Sequence, residues 1–418
     1  MSNTPPGVAP SSRSWLGLAR ELTAGTPVAP TNTIPLDAKS YKPEDVPKFL
    51  PDEAIRGSMA MLYNEIIGVE DATFSFGGPN FLDVHGFMLD NAFGDLSTTG
   101  SSPASATTVT NASAVGTTSV VVAATTGYSA GTNAQIDSGS ISEVVTITSV
   151  AGGSQLNFAS NPLRFAHGSG AAVHSVTGTY KHTFALLNQT LGYGGLAGAQ
   201  PPTHTLTDNT YLTPTVYARS YPAACVSKID FTGNAEQLLD VKFSGNSWLS
   251  APAGGGTTAP TNTVSSVVPV AAWEATVSIG GTQIYDIGEW AINVTRKLQV
   301  YYTAQGSQTP FIIARGDLGI AGSMNFTVPS DETALNYMLN NTQPSVQISI
   351  TNGLSGTSNL TLVYNSTKAA FIKSAPDRNA VLVGYQNSWD GVANATDVGG
   401  SGGLGPGTFT LSNNIPTY

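Results

Sequence analysis

Apolar positions in this chain come in short runs broken by Gly, Pro, Ser, Thr and Asn, and one such run occurs twice. From Phe76 the sequence reads FGGPNFLDVHGFMLDN and from Phe326 it reads FTVPSDETALNYMLNN. This sets Phe76 over Phe326, Pro79 over Pro329, Met88 over Met338 and Asn91 over Asn341, each pair 250 residues apart. In both places a strand-like stretch, Ala72 to Phe76 or Gly322 to Val328, runs into a proline whose fixed φ suits the first turn of a helix. Apolar residues at helical spacing follow, Phe81, Val84 and Met88 in the first copy. Each copy is therefore predicted to be a strand, a turn and a short helix.

A second match lies downstream. KFSGNSW ends at Trp248 and VGYQNSW at Trp389, 141 residues apart, so the first copy holds 109 residues that the second lacks. Most of them show as a change of character from residue 101 to about 178, where the chain turns rich in Val, Thr, Ser and Gly. There Thr118 to Ala124, Asn133 to Ile136, Glu143 to Val150 and Gln155 to Phe158 read as the closely spaced strands of a small all-β module. Further extra residues fall between Gln189 and Tyr211, where Pro201-Pro202 and a Gly cluster mark an extended loop of the kind that reaches a neighbouring subunit. The stretch APAGGGTTAPTNTVSSVV reads as a linker. From Arg20 to Ala54 the chain carries Pro27, Pro30, Pro35, Pro43, Pro47 and Pro51 with little apolar periodicity, and reads as an extended arm or a loosely ordered terminus. The predicted organisation is a flexible N-terminus (1–13), a first copy (14–102 and 179–250) interrupted by the β module (103–178), a linker (251–268), a second copy (269–399) and a C-terminal segment (400–418).

Length and composition sharpen this picture. At 418 residues the chain is too long for one core and suggests two or three domains. Charged residues make up 11%, against roughly 25% in ordinary soluble domains, which points to surface buried between subunits. A formal net charge of -10 opposes tight binding of nucleic acid, which needs Lys and Arg to displace counterions, although a duplex can pass without sticking. Cys225 stands alone, so no intrachain disulfide framework and no cysteine zinc site exists, and it reads as a small buried apolar residue. The opening MSNTPPGVAPSSRSW lacks a basic start followed by an apolar core, and no apolar run nears the roughly 20 residues of a membrane helix. The expectation is synthesis in a cytoplasm, with no export signal and no membrane association.

Catalysis finds little support. His85 is predicted within the short helix of the first copy, where the second has Leu335, so packing explains it better than acid–base work. His167 and His174 flank a Gly-rich turn in the inserted module with no acidic neighbours at metal-ligand spacing; His182 and His204 have no supporting pattern. Asp52-Glu53 and Glu70-Asp71 read as solvated acids beside turns and strand entries. Asp331-Glu332 fit the first turn of a helix, where negative charge is favoured. No nucleophile elbow, phosphate-cradling loop or HExxH helix occurs, so no catalytic residue, cofactor or metal is expected.

Arg56-Gly57-Ser58-Met59, the Gly-Val-x-x-Ala-x-Phe stretch ending at Phe74, the PPTHTLTD segment and the strands ending in Ser-Trp together resemble the tail-tube proteins of siphophages, over most of both repeats. The chain departs from the simplest members in having two tube domains in tandem and a β module interrupting the first. The resemblance implies a mainly β fold of two tandem β-sandwich or open-barrel domains, each with a short helix, that join neighbours around a ring. Rings then stack into the channel that delivers genomic DNA. It also implies a location in the virion tail, contacts with tape-measure, distal tail and tail-terminator proteins, and passage of double-stranded DNA. Six single-domain copies close a ring in that family, so symmetry predicts three of these chains, pseudo-sixfold. Glu236, Asp240 and Glu289 are the candidate acidic residues of the channel lining, with ordinary solvated surface charge as the alternative. Another virion structural or decoration protein, or a secreted β-rich binding protein, are the competing readings. The inserted module reads as exterior decoration, since the second copy has no counterpart.

Overall fold

Strands carry this chain because β-branched and aromatic residues alternate with Gly, Ser and Thr, which suits a pleated surface covered on one face. The computed structural model describes every residue except 1–10, 36–39, 102–105, 159–160, 189–199, 212–215, 254–260, 263–264, 266, 305, 328–332 and 379–382. The protein is mainly β. Two antiparallel sheets of twelve and ten strands pack on one hydrophobic core, and no path among the described strands closes into a barrel.

Eight strands of the larger sheet form one path. It begins with a hairpin, Lys42–Asp52 and Asn64–Pro79, continues through Asp240–Ser247, and reaches Val216–Asn234. It then repeats the order with a second hairpin, Ile287–Tyr301 and Ile312–Phe326, followed by Gly384–Gly391 and Ala369–Asp377. Each half is thus hairpin, Asn-Ser-Trp strand and closing strand. His204–Tyr211, Trp15–Arg20 and Asn32–Ile34 branch from the first half of Val216–Asn234.

The smaller sheet spans both halves. Thr408–Asn413 lies inside it, pairing with Tyr180–Phe184 on one side and with Thr361–Asn365 on the other. Its Phe409 is fully buried and touches Phe93 and Phe231 from the first half and Tyr364 from the second, with ring centroids 5.5, 5.6 and 5.1 Å apart. Residues that the sequence sets aside as a C-terminal segment therefore fasten the two halves together. The inserted segment has strands Ser119–Val121, Asn133–Ile136, Glu143–Thr146, Ser149–Ala151 and Gln155–Asn157 around its own core of Val120, Ile136, Val145, Leu156 and Phe158.

Other expectations shift on contact with the structure. The first helix, α1 (Gly86–Phe93), starts after His85, while Pro79 ends the preceding strand and Phe81 and Val84 lie in the intervening turns. In the second copy α2 spans Thr333–Leu339, and Pro329, Asp331 and Glu332 fall outside the described residues. The proline-rich arm supplies the eleven-residue strand Lys42–Asp52, tolerated because it is an edge strand where a missing N–H costs least. Glu70 and Asp71 lie within Asn64–Pro79 rather than beside a turn. Most of the PPTHTLTD segment is strand, not loop, and Thr203 and Thr205 are buried because each hydroxyl donates to Glu21 at 2.7 Å. The first half of that expected loop, 189–199, lies outside the described residues.

The two Asn-Ser-Trp strands pair with equivalent hairpins but one residue out of step. Ser247 pairs with Ala72, whereas Trp389 pairs with Gly322, the position 250 residues on from Ala72. A one-residue offset turns a side chain to the other face. Trp389 is fully buried and stacks on Tyr364 at 5.5 Å, and a Cβ at Gly322 would fall 2.1 Å from its ring. Trp248 lies past its strand, half-buried against Gly25.

Candidate assembly interface

The two halves meet where the closing strand of the first pairs with the opening strand of the second. Lys228 faces Thr295, Asp230 faces Asn293 and Thr232 faces Ala291 in one antiparallel ladder. At the ends of the path the same two kinds of strand are left with one side open. Lys42–Asp52, the counterpart of Ile287–Tyr301, pairs only with Asn64–Pro79 among the described residues, and Ala369–Asp377, the counterpart of Val216–Asn234, only with Gly384–Gly391. An unpaired edge is a row of donors and acceptors that templates pairing with another chain.

Two arginines lock the internal junction. Arg296 donates from Nη1 to the carbonyl of Ala92 at 2.9 Å, satisfying the last turn of α1 from across the ladder. Arg315 donates from Nη1 to the Pro202 carbonyl at 3.1 Å, and its backbone N–H reaches Gln200 Oε1 at 2.9 Å. Burial, with repulsion from Arg315 added, lowers Arg296 to about 10, and burial lowers Arg315 as well. On the far side of α1, Arg164 of the inserted segment binds Asp90 through two bonds of 2.8 Å and donates to the Tyr418 carbonyl at 2.9 Å. Asn91 ties the helix to the closing strand, donating to Ala224 O at 2.8 Å and accepting from Val226 N–H at 2.7 Å. Every residue of α1 is buried; of α2 only Ala334 is.

The face of the larger sheet turned away from the core is polar. Lys228 and Asp230 pair at 2.7 Å and Lys242 and Asp240 at 3.2 Å, so much of its charge is neutralised locally. On this solvent-facing side of the sheet each pair contributes only about 0–1 kcal/mol. Glu289 accepts from Asn234 Nδ2 at 2.9 Å and Asn325 Nδ2 at 3.0 Å. With Glu236 and Asp377 it lines a cavity of about 610 Å³ at one end of the strands. The fold thus brings Glu236 and Glu289 together, while Asp240 sits apart, beside Lys242.

The histidines are held in place by packing and hydrogen bonds. His85 and His182 are buried, which lowers each to about 3 and keeps them neutral; they bond to Asn80 Oδ1 at 2.6 Å and to the Ile415 carbonyl at 2.8 Å. Burial also takes His204 well below its ordinary value, beside Asn91 at 2.9 Å. His167 is different: Glu143 lies 2.7 Å from Nε2 and Asp137 3.2 Å from Nδ1. Burial pulls it down, but the two carboxylates outweigh that and raise it overall. Spacing along the chain shows no acidic neighbours for His167; the fold brings them from 24 and 30 residues away.

A family model described as phage tail tube protein matches residues 11–412. The chain belongs to that family. It is a structural protein of the virion tail, and the family is not one of enzymes. No curated protein sequence matches it. The features of this tail tube protein that sequence reading missed are the free edges and the groups around them. On the hairpin that carries one edge, Phe49, Leu50, Ile66 and Ile67 are 53, 56, 55 and 51% exposed. Arg296 and Arg315 were equally hidden, since the residues at their places in the first hairpin, Phe49 and Glu65, share no chemistry with them.

Proposed function

We propose that three copies of this tail tube protein close into a pseudo-sixfold ring, and that rings stack into the tube of a long non-contractile phage tail through which double-stranded DNA passes. The observation that carries this reading is the internal junction, in which a closing strand already pairs with an opening strand, while among the described residues one strand of each kind is left free at the ends of the path. Repeating that ladder between chains joins Ala369–Asp377 of one copy to Lys42–Asp52 of the next. Equivalent partners place Asp377 opposite Val46. Such a head-to-tail contact generates a closed ring when its rotation closes. The polar outer face of the larger sheet then becomes the channel wall, with Glu236, Asp240 and Glu289 among its candidate acids. Its paired charges and net acidity suit a wall that must not hold phosphates.

In this reading each half is one tube domain and the inserted segment lies outside the channel. The tape-measure protein occupies the channel during assembly, and distal tail and terminator proteins meet the tube's ends. Electron microscopy of the purified chain, with mass measurement of the soluble fraction, tests the proposal. Hollow tubes whose rings contain three chains are the expected result. Rings of six chains, or a chain that stays monomeric under all assembly conditions, would overturn it.

A further inference from the structure

We infer that the exposed side of α2 is the seat of the next chain's edge strand, with Phe49 of that chain set on the helix's C-terminal turn. The inference rests on the ring reading and adds to it the side chains that make the contact between chains. Inside one chain the contact already exists in another chemical form. There Arg296 leaves the opening strand of the second hairpin, crosses the ladder and donates to Ala92 at the end of α1.

The two hairpins can be superposed through their own pairing. Val46 faces Asp71 as Asn293 faces Ala321, and Glu44 faces Thr73 as Ala291 faces Ser323. Carried along the strand, Arg296 falls over Phe49, and each hairpin has a bulge close to that place, between Pro47 and Phe49 or between Arg296 and Leu298. The helix repeat places Ala92 over Thr342 and Leu89 over Leu339. When the internal ladder is repeated between chains, Phe49 of the incoming chain therefore takes the place of Arg296, and Thr342, three residues past the end of α2, takes that of Ala92.

The side chains waiting at these positions fit that contact. Phe49 is 53% exposed and Leu339 67% exposed, although Leu89 at the matching place is fully buried. Tyr337 and Met338, partly buried on the core, give the surface an apolar floor. An arginine suits the internal contact, because a buried helix end needs a donor for its last carbonyl. A phenylalanine suits a contact formed on assembly. Its side chain carries no polar group that must find a partner, and removing it from water favours association.

The test uses two cysteine pairs in the full-length chain. Val46→Cys with Asp377→Cys reports the ladder between chains, and Phe49→Cys with Thr342→Cys, joined by a short bismaleimide, reports the helix contact. Crosslinking of both pairs between chains is expected, in a series that ends at three chains. Crosslinking of the first pair without the second would overturn the inference and leave the ring intact. Failure of both would remove the ring reading and the inference with it. In parallel, Phe49→Asp should raise the concentration needed for ring formation about tenfold or more, with the circular dichroism spectrum of the single chain unchanged. Unaltered assembly of that variant would also count against the contact.

Discussion

Leu89 and Leu339 are the same residue in two copies of one short helix, yet Leu89 is fully buried and Leu339 is 67% exposed. The neighbouring pairs differ in the same way: Phe87 and Met88 are sealed, while Tyr337 and Met338 are only partly covered. The cause lies in what surrounds each helix. α1 is closed in by Arg164 of the inserted segment, by Tyr418, whose ring packs on Phe87 at 4.9 Å, and by Arg296 from the other half. α2 packs on Ala369–Asp377 at the open end of the sheet and has no such cover among the described residues. One copy is completed within the chain, and in the proposed ring a neighbour completes the other. The inserted segment is then more than decoration, because it holds one helix in place.

Asp90→Ala gives the hardest test of this contrast. It leaves the Arg164 guanidinium buried without its carboxylate and should cost about 3–5 kcal/mol in urea unfolding. Asn340→Ala, at the matching place just past the end of α2, should change stability by less than about 0.5 kcal/mol. Next in size, Leu89→Ala should cost about 2–5 kcal/mol through the cavity it leaves. Leu339→Ala should leave the single chain within about 0.5 kcal/mol but lower the yield of rings. Equal losses from the two leucine variants would end the distinction between the helices.

Gly322→Ala should come third, at about 1–3 kcal/mol, because the new methyl meets the Trp389 ring. Alanine is already accommodated at the matching Ala72, where Ser247 is the partner.

The smallest effect is expected at His167. Its raised value means that the charged form is favoured on folding, so the stabilisation is fully present below the unfolded value near 6.5 and fades as pH rises through the folded value. His167→Gln should narrow the stability difference between pH 6 and pH 9, read from unfolding midpoints at each pH. An unchanged pH profile would show that Glu143 and Asp137 do not hold a charged imidazole.

Part of this architecture is legible in the order of residues. The helix repeat, the inserted segment's strands and the mainly β character follow from local pattern, because a period of two or of 3.6 is written in neighbouring residues. Lys42–Asp52 is not legible in that way, since six prolines between Arg20 and Ala54 look like an arm until the strand is known to lie at an edge. The shared Asn-Ser-Trp motif is visible, but its one-residue shift in pairing is not, as register belongs to the partner strand.

The sequence alone determined the class of fold, the tandem helix motif, the extra segment in the first copy and a composition poor in charge. Those depend on residues close together in the chain. Only the tertiary structure decided which helix is sealed, which strands are left open at the ends of the sheet, and that Arg296 and Phe49 occupy matching places. Such facts depend on contacts between residues hundreds of positions apart, where burial and pairing are set by what the fold brings alongside.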